Sequence, residues 1–416
     1  MKTEVAVVGG GPAGLSAALY LARKGIEVVV IDEYFRAGGR LLGQLYENPQ
    51  KPLGKRLWNG RAISGQLVED VLSAGARIMT GISAWHISDG SEVYISGGSL
   101  KKINARAVLV TTGASERALP VEGWTTPGVM TVGAAQVFAN IHRVLPGKRV
   151  VVVGVDPLSI TVAGELKKAG AEVLGIYLPP PGVLSGDMGV PAEVIGKLSS
   201  SAHMAPDTMM KLACKIFGGS YRDIGARLSS LSTMKIWGIP LKLRTSVVRI
   251  EGESKVEAVV TARVSHKGTH EGENCSIKAD AVCLSGGLYP MTGLVSMAGC
   301  PLIEMPELGG SIPLHSQYME TPVKGLFVAG NITGIEGAPV AMAQGALAGA
   351  SIASYLGILN GNSPKELEDA ASFVEEARRE TPIKFFPDAA AGRRKLAEIW
   401  DCRKDIKNTG GACAGK

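Results

Sequence analysis

The sequence predicts an α/β protein built from two Rossmann-like dinucleotide-binding domains, the second inserted in the first, with a short C-terminal helical segment. Three observations carry this expectation. A strand-like run, a glycine loop and a helical run stand at the start; a similar succession returns near residue 150; glycine-terminated apolar runs reappear after residue 280. At 416 residues the chain exceeds one ordinary core, so two or three domains are expected.

Residues 3–8 (TEVAVV) form a β-rich run, GGGPAG follows, LSAALYLARKG continues at helical spacing, and EVVVID supplies a second strand. That is a βαβ unit within about thirty residues. The second unit reads KRVVVVG at 148–154, a helical LSITVAGELKKAG, then EVLGIYL at 172–178. The runs ADAVCLSGG at 279–287 and VKGLFVAGN at 323–331 are expected to be strands that rejoin the first domain. The resulting division is 1–117 for the first part of the cofactor domain, 118–278 for the insert, 279–360 for the second part, and 361–416 for C-terminal helices and a mobile tail. In the last part ELEDAASFVEEARRE and GRRKLAEIW have amphipathic spacing, and NTGGACAGK is the tail.

The apolar stretch 337–359 is long and apolar enough to resemble a membrane span, but Gln344 and the absence of basic flanks predict a buried helix instead, and no transmembrane segment. The net charge of +6 is spread along the chain without a long run, which argues against nucleic-acid binding. Six cysteines (Cys214, Cys275, Cys283, Cys300, Cys402, Cys413) form no C-x-x-C pair, and the first strand starts almost at Met1. A reduced, cytoplasmic chain is the expectation, with peripheral membrane association left to a complex. No metal site is expected: the six histidines lack metal-ligand spacing, and His266 and His270 fall in SHKGTHEGEN, which reads as a hairpin tip.

The chemistry starts at Gly9-x-Gly11-x-x-Gly14, between a strand and a helix. Gly9 permits the turn, Gly11 lets backbone approach a pyrophosphate, and Gly14 allows close helix–strand packing. Pro12 and Ala13 open the helix whose N–H groups face the phosphates. Nineteen residues beyond Gly14 stands Glu33, with Asp32 beside it. Either carboxylate can accept the ribose hydroxyls of an adenine dinucleotide. Glu33 is preferred because it precedes the Gly38-Gly39 pair by five residues. Arg40 and Gln44 follow that pair; Arg40 either clamps a pyrophosphate or substrate carboxylate or lies packed on its loop.

Beyond these residues, AVLVTTGASER at 107–117 resembles the strand that leads out of the FAD domain in pyridine-nucleotide-disulfide-reductase-like flavoproteins, which brings in Thr112 and Gly113. GLFVAGNITGIEGAPVAMAQG resembles their second FAD signature and implies Gly330, Asn331, Gly337 and Ala338 as cofactor residues. The usual Gly-Asp reads Gly330-Asn331 here, which removes a negative charge but keeps a donor and an acceptor. The resemblance implies FAD as the cofactor.

A narrower resemblance lies at 122–136, EGWTTPGVMTVGAAQ, which is similar to a segment of the FAD-binding subunits of hydrogen cyanide synthase, opine oxidase, dye-linked proline dehydrogenase and sarcosine oxidase. The likeness spans residues 3–350. It implies an oxidoreductase subunit that passes electrons within an amine or amino-acid dehydrogenase complex. The partners so implied are a catalytic flavoprotein chain and a small iron–sulfur protein. After Cys300 this chain has only Cys402 and Cys413, too few to hold a Cys₄ cluster by itself.

The second loop reads Gly154-Val155-Asp156-Pro157-Leu158-Ser159, so two of its three glycine positions are occupied by Asp156 and Ser159. A carboxylate there repels a pyrophosphate, and Pro157 removes an N–H. Its second strand ends without an acid for a ribose or an arginine for a 2′-phosphate. No cysteine pair stands where a disulfide reductase needs one: none follows Gly38-Gly39, and the insert's Cys214 and Cys275 stand far apart in the chain. Two rival readings are a free-standing NAD(P)H-dependent flavin reductase and an assembly subunit whose FAD is structural. No catalytic residue is identified by the sequence.

Overall fold

A computed structural model describes residues 1–47, 51–200, 234–359, 363–381 and 383–409. Cys214, Cys413, His203 and most of the expected tail lie outside the described residues.

The first strand, Lys2–Val8, pairs in parallel with Val28–Asp32 on one side and Lys102–Val110 on the other, and Arg77–Thr80 extends the sheet beyond Val28–Asp32. Helix α1 (Pro12–Arg23) connects the first two strands. The far half of Lys102–Val110 pairs in parallel with Leu326–Val328, while its near half turns antiparallel against Glu92–Ser96. Central parallel strands are covered on both faces and therefore read as continuous apolar runs. Val5 and Val7 accordingly pack toward α1, whereas Ala6 and Val8 pack with Ile87, Val93 and Ile103 on the other side.

The second sheet contains Arg149–Val153 and Glu172–Leu178, joined by helix α2 (Pro157–Lys168). Ile239–Glu251 pairs in parallel beside Glu172–Leu178 and leads into the antiparallel strands Ala258–Val264 and His270–Lys278. His266 sits in the turn of that last hairpin and His270 opens its exposed outer strand. Two short antiparallel strands, Ala114–Glu116 and Leu288–Pro290, link the sheets.

One expectation is corrected. Ala281–Leu284 does not rejoin the first domain: it pairs in parallel with Arg149–Val153 and with Val129–Thr131 in the second sheet. Its four residues are all buried between the faces of that sheet, and the chain crosses back only at Leu288–Pro290. A fully buried run of four apolar residues fits the middle of either sheet, so its composition does not select one.

Helix α3 (Ala338–Tyr355) is the apolar segment, and it lies buried against α1. A Cβ at Gly345 would meet the Ala13 carbonyl oxygen at 2.1 Å, and one at Gly349 would meet Tyr20 Cβ at 3.0 Å, so two glycines one turn apart let the helices touch backbone to backbone. Among the described residues no helix is long and apolar enough to cross a membrane. Helices α4 (Ser363–Glu380) and α5 (Ala389–Thr409) follow as a C-terminal arm.

Candidate functional site

Three neighbouring parallel strands, Lys2–Val8, Lys102–Val110 and Leu326–Val328, end at the same edge of the first sheet. Ligands of open α/β sheets bind outside such carboxyl ends. The loops that leave them hold Gly9 to Gly14, Thr112 and Gly113, and Gly330 to Ala338, so most of the residues expected to hold a cofactor are gathered along one edge.

Gly9 turns with φ of +105°, and a Cβ on it would sit 2.6 Å from the Thr111 carbonyl oxygen. At Gly14 the same addition would lie 2.0 Å from the Gly9 carbonyl oxygen. Around Gly11 there is room: the nearest atom to a Cβ there would be Gly39 Cα at 3.9 Å. Helix α1 starts at Pro12 with no side-chain cap, so the first-turn N–H groups of Ala13 and Gly14 are left for an anion. An open glycine in front of an uncapped helix start fits a pyrophosphate.

The two adjacent acids differ in their partners. Asp32 Oδ2 accepts from Gly10 N at 2.6 Å and Oδ1 from Tyr34 N at 2.8 Å, which commits both oxygens to shaping the loop. Burial pushes the Asp32 carboxyl up, against those two backbone donors. Glu33 is exposed at the end of the same strand and makes no side-chain hydrogen bond among the described residues. It is the acid available to a ribose.

Thr111 was not anticipated. Its hydroxyl lies 2.7 Å from the Gly9 carbonyl and 3.0 Å from that of Val8, tying the glycine loop to the neighbouring strand, while Thr112 Oγ1 donates to the Met291 carbonyl at 2.7 Å. Gly113, with φ of +74°, accepts from Met291 N at 3.0 Å. The one signal for Thr111 is its position directly after the buried apolar run 107–110.

In the third loop Asn331 Oδ1 accepts from Gly337 N at 3.3 Å and Glu336 N at 3.4 Å. Its amide nitrogen has no acceptor among the described residues and is the group left to face a ligand. Helix α3 begins after Gly337 with no cap from that residue, so the N–H of Ala338 is also open. Gln344, nearly fully buried, accepts from Gly330 N at 2.9 Å and so fixes the start of the loop from inside the helix.

Arg40 and Gln44 each hydrogen-bond within the chain. Arg40 Nη2 donates to the Ala114 carbonyl at 3.2 Å, beside Glu116 and Gly133, and Gln44 Oε1 accepts from Trp58 Nε1 at 3.0 Å. Arg40 thus reaches the strand that joins the two sheets.

The 122–136 stretch proves to be an inter-domain element. Glu116 accepts from Thr131 Oγ1 at 2.6 Å and from Gly133 N at 2.8 Å, which caps the short helix Val132–Val137. From the next turn, Gln136 Nε2 donates to Glu165 Oε2 at 3.0 Å, joined by Asn140 Nδ2 at 2.7 Å. Leu45 N of the first domain reaches Glu165 Oε1 at 3.3 Å. Burial pushes Glu165 up to about 7 despite these donors.

The second glycine loop is closed by its own side chains. Asp156 Oδ1 accepts from Ser159 N at 2.9 Å, Ser159 Oγ accepts from Asp156 N at 3.0 Å, and Ser285 Oγ donates to Asp156 Oδ2 at 2.5 Å. This capping box places a carboxylate over the start of α2, where a pyrophosphate would need the same N–H groups.

Cys275 and Cys402 are exposed free thiols, and Cys283 and Cys300 are buried ones. Burial raises the thiol pKa of Cys283 to about 12 and of Cys300 to about 11, so both stay protonated and unreactive at neutral pH.

The pyridine nucleotide-disulphide oxidoreductase family model matches residues 3–345. An opine oxidase subunit from Rhizobium meliloti is 28% identical over 361 residues, covering 85% of this chain and 71% of that one. Its counterpart in the opine oxidase of Agrobacterium tumefaciens is 29% identical over 356 residues, and the chain spans 64% of its length. The HcnB chain of hydrogen cyanide synthase from Pseudomonas protegens is 27% identical, covering 86% of this chain and 72% of that protein. Among solved structures, L-proline dehydrogenase from P. horikoshii shares the fold with a TM-score of 0.60 at 22% identity, over 89% of this chain and 59% of that one. Lactococcus lactis thioredoxin reductase does so at 0.59 and 18%, over 85% and 99%.

Proposed function

The chain belongs to the pyridine nucleotide-disulphide oxidoreductase family and is an FAD-dependent oxidoreductase, and from that premise we propose that it is the FAD-binding electron-transfer subunit of a complex that oxidises an amine or amino acid. FAD supplies the two-electron chemistry. The chain's own residues hold it: the 9–14 loop and the start of α1 take the pyrophosphate, Glu33 takes the adenosine ribose, and Asn331 with the start of α3 takes the flavin end.

The observation that carries the reading is the Asp156 capping box. A flavoprotein that drew electrons from NAD(P)H would need the second helix start open, and here an internal carboxylate occupies it. Electrons then have to come from another donor, and the resemblance of the chain to proteins named as subunits supports a partner polypeptide. In this reading 1–117 and the part from 288 to 360 surround FAD, and the insert serves as scaffold and docking body. A catalytic flavoprotein chain and a small iron–sulfur protein are the proposed partners.

Purification from the native source tests the proposal by identifying which chains and cofactors travel with this one. Anaerobic mixing with NADH or NADPH is the complementary measurement. Rapid bleaching of the flavin would overturn the subunit reading in favour of a free-standing NAD(P)H-dependent reductase. Efficient oxidation of an amine or amino acid by the isolated chain would overturn the partner requirement instead.

A further inference from the structure

The 330–337 loop is held from outside as well as from within. Glu336 is 9% exposed and faces guanidinium groups from both helices of the C-terminal arm. Arg378 of α4 donates to it from Nε at 2.8 Å and Nη2 at 3.2 Å. Arg393 of α5 donates from Nε at 3.1 Å and again from Nη2. Burial alone would push Glu336 up, but Arg393 and Arg378 outweigh it and hold the carboxylate below its usual range.

Arg393 has two further contacts. Its Nη2 reaches Thr333 Oγ1 at 3.3 Å, and its Nη1 lies 3.3 Å from His315 Nε2. Burial, and then the charge of Arg393, push the His315 imidazole down to about 3, so the ring is a neutral acceptor whose Nδ1 meets the Pro313 carbonyl at 2.7 Å. Phe385, between the two arm helices, lies 3.7 Å from where a Cβ on Gly337 would be.

A buried ion cluster is a poor way to gain stability alone, because desolvation offsets its attraction. What a planar guanidinium adds is direction: it fixes Thr333 and Glu336 relative to each other. Those two residues lie between Asn331 and the start of α3, and Gly330 at the head of the loop abuts Ala13, where a Cβ would come within 2.9 Å of the Ala13 Cβ. The geometry of this loop therefore sets where the open N–H of Ala338 stands relative to those of α1.

We propose that the C-terminal arm is a clasp for FAD and that Arg393 is its positioning residue, holding the 330–337 loop in the shape that receives the cofactor without touching it. This rests on the reading of the three loops as the FAD site.

The test compares FAD dissociation constants, bound-flavin spectra and apo-protein melting for wild type, Arg393→Met, Arg393→Lys and Arg394→Met. Truncating one member of a buried, hydrogen-bonded charge pair leaves the other unpaired, so Arg393→Met is expected to raise the dissociation constant roughly tenfold or more. Arg393→Lys is expected to weaken FAD too and to alter the bound spectrum, since an ammonium cannot make the fork. Arg394 is exposed, and its substitution removes the same charge with no effect expected.

Wild-type affinity in a folded Arg393→Met protein overturns the clasp, even if its apo form melts earlier. Should Arg393→Met fail to fold, Arg393→Lys decides: wild-type affinity there overturns the clasp, and weakened binding supports it. Failure of the wild type to bind FAD would instead overturn the cofactor-site reading itself.

Discussion

The carbonyl oxygen of Ala13, in the first turn of α1, lies 2.1 Å from where Gly345 of α3 would carry a Cβ. Two helix starts that are 326 residues apart in the chain, at Pro12 and Ala338, are thereby set by a contact between backbones. Gly345→Ala is expected to push the helices apart, at a cost of about 1–3 kcal/mol typical of overpacking. FAD affinity should fall with it, because both anion-facing helix starts move. Thermal melting and flavin content of the purified variant check this, and an unchanged holo-protein would contradict it.

The adjacent acids should separate by phenotype. Glu33→Gln is expected to weaken FAD binding about ten- to a hundredfold while the apo-protein melts normally, since it weakens charge-assisted bonds of about 1.5–3 kcal/mol. Asp32→Ala is expected to destabilise the apo-protein, because Gly10 N and Tyr34 N both lose their acceptor. Titration with FAD and melting of both variants would reveal the reverse assignment if Asp32 were the ribose acid.

Glu165 gives a pH signature. Its pKa is raised to about 7 by burial, above its value in the unfolded chain. The folded state therefore binds the proton more tightly, and the associated stability is complete below about pH 4 to 5 and lost as pH rises through about 7. The full effect is on the order of 3 kcal/mol. Lys168 lowers the pKa of Glu165, and Tyr46, whose own pKa is raised to about 12, faces it from the first domain. Glu165→Gln should flatten the decline in melting temperature between pH 5 and pH 8; the same slope in the variant would show that another group is responsible.

Asp156 is a helix cap in this chain, so Asp156→Ala should cost about 0.5–2 kcal/mol of stability and leave FAD content unchanged. Melting curves and flavin absorbance test both parts. Loss of flavin on this substitution would show that the second loop takes part in holding FAD.

Much of the site could be read from the chain because its signals are local. The φ of +105° at Gly9, the approach of Gly14 to the Gly9 carbonyl, and the helix start at Pro12 are properties of neighbouring residues, and a periodic pattern of apolar positions reports strands and helices directly. Ala281–Leu284 shows where this fails, since four buried apolar residues satisfy either sheet and pairing partners distant in the chain choose between them.

The sequence by itself determined that the helix start near Pro12 has no capping side chain and that Asp156 and Ser159 stand in the loop near Gly154, because both follow from which side chain sits beside which backbone N–H. Only the tertiary structure decided that Thr111 rather than Thr112 locks the first loop, that Glu165 ties the insert to the 43–45 segment, and that two arginines more than forty residues beyond Glu336 neutralise it. Those are relations between groups that only packing brings together, and a buried charge leaves no trace in the sequence of the partner that must find it.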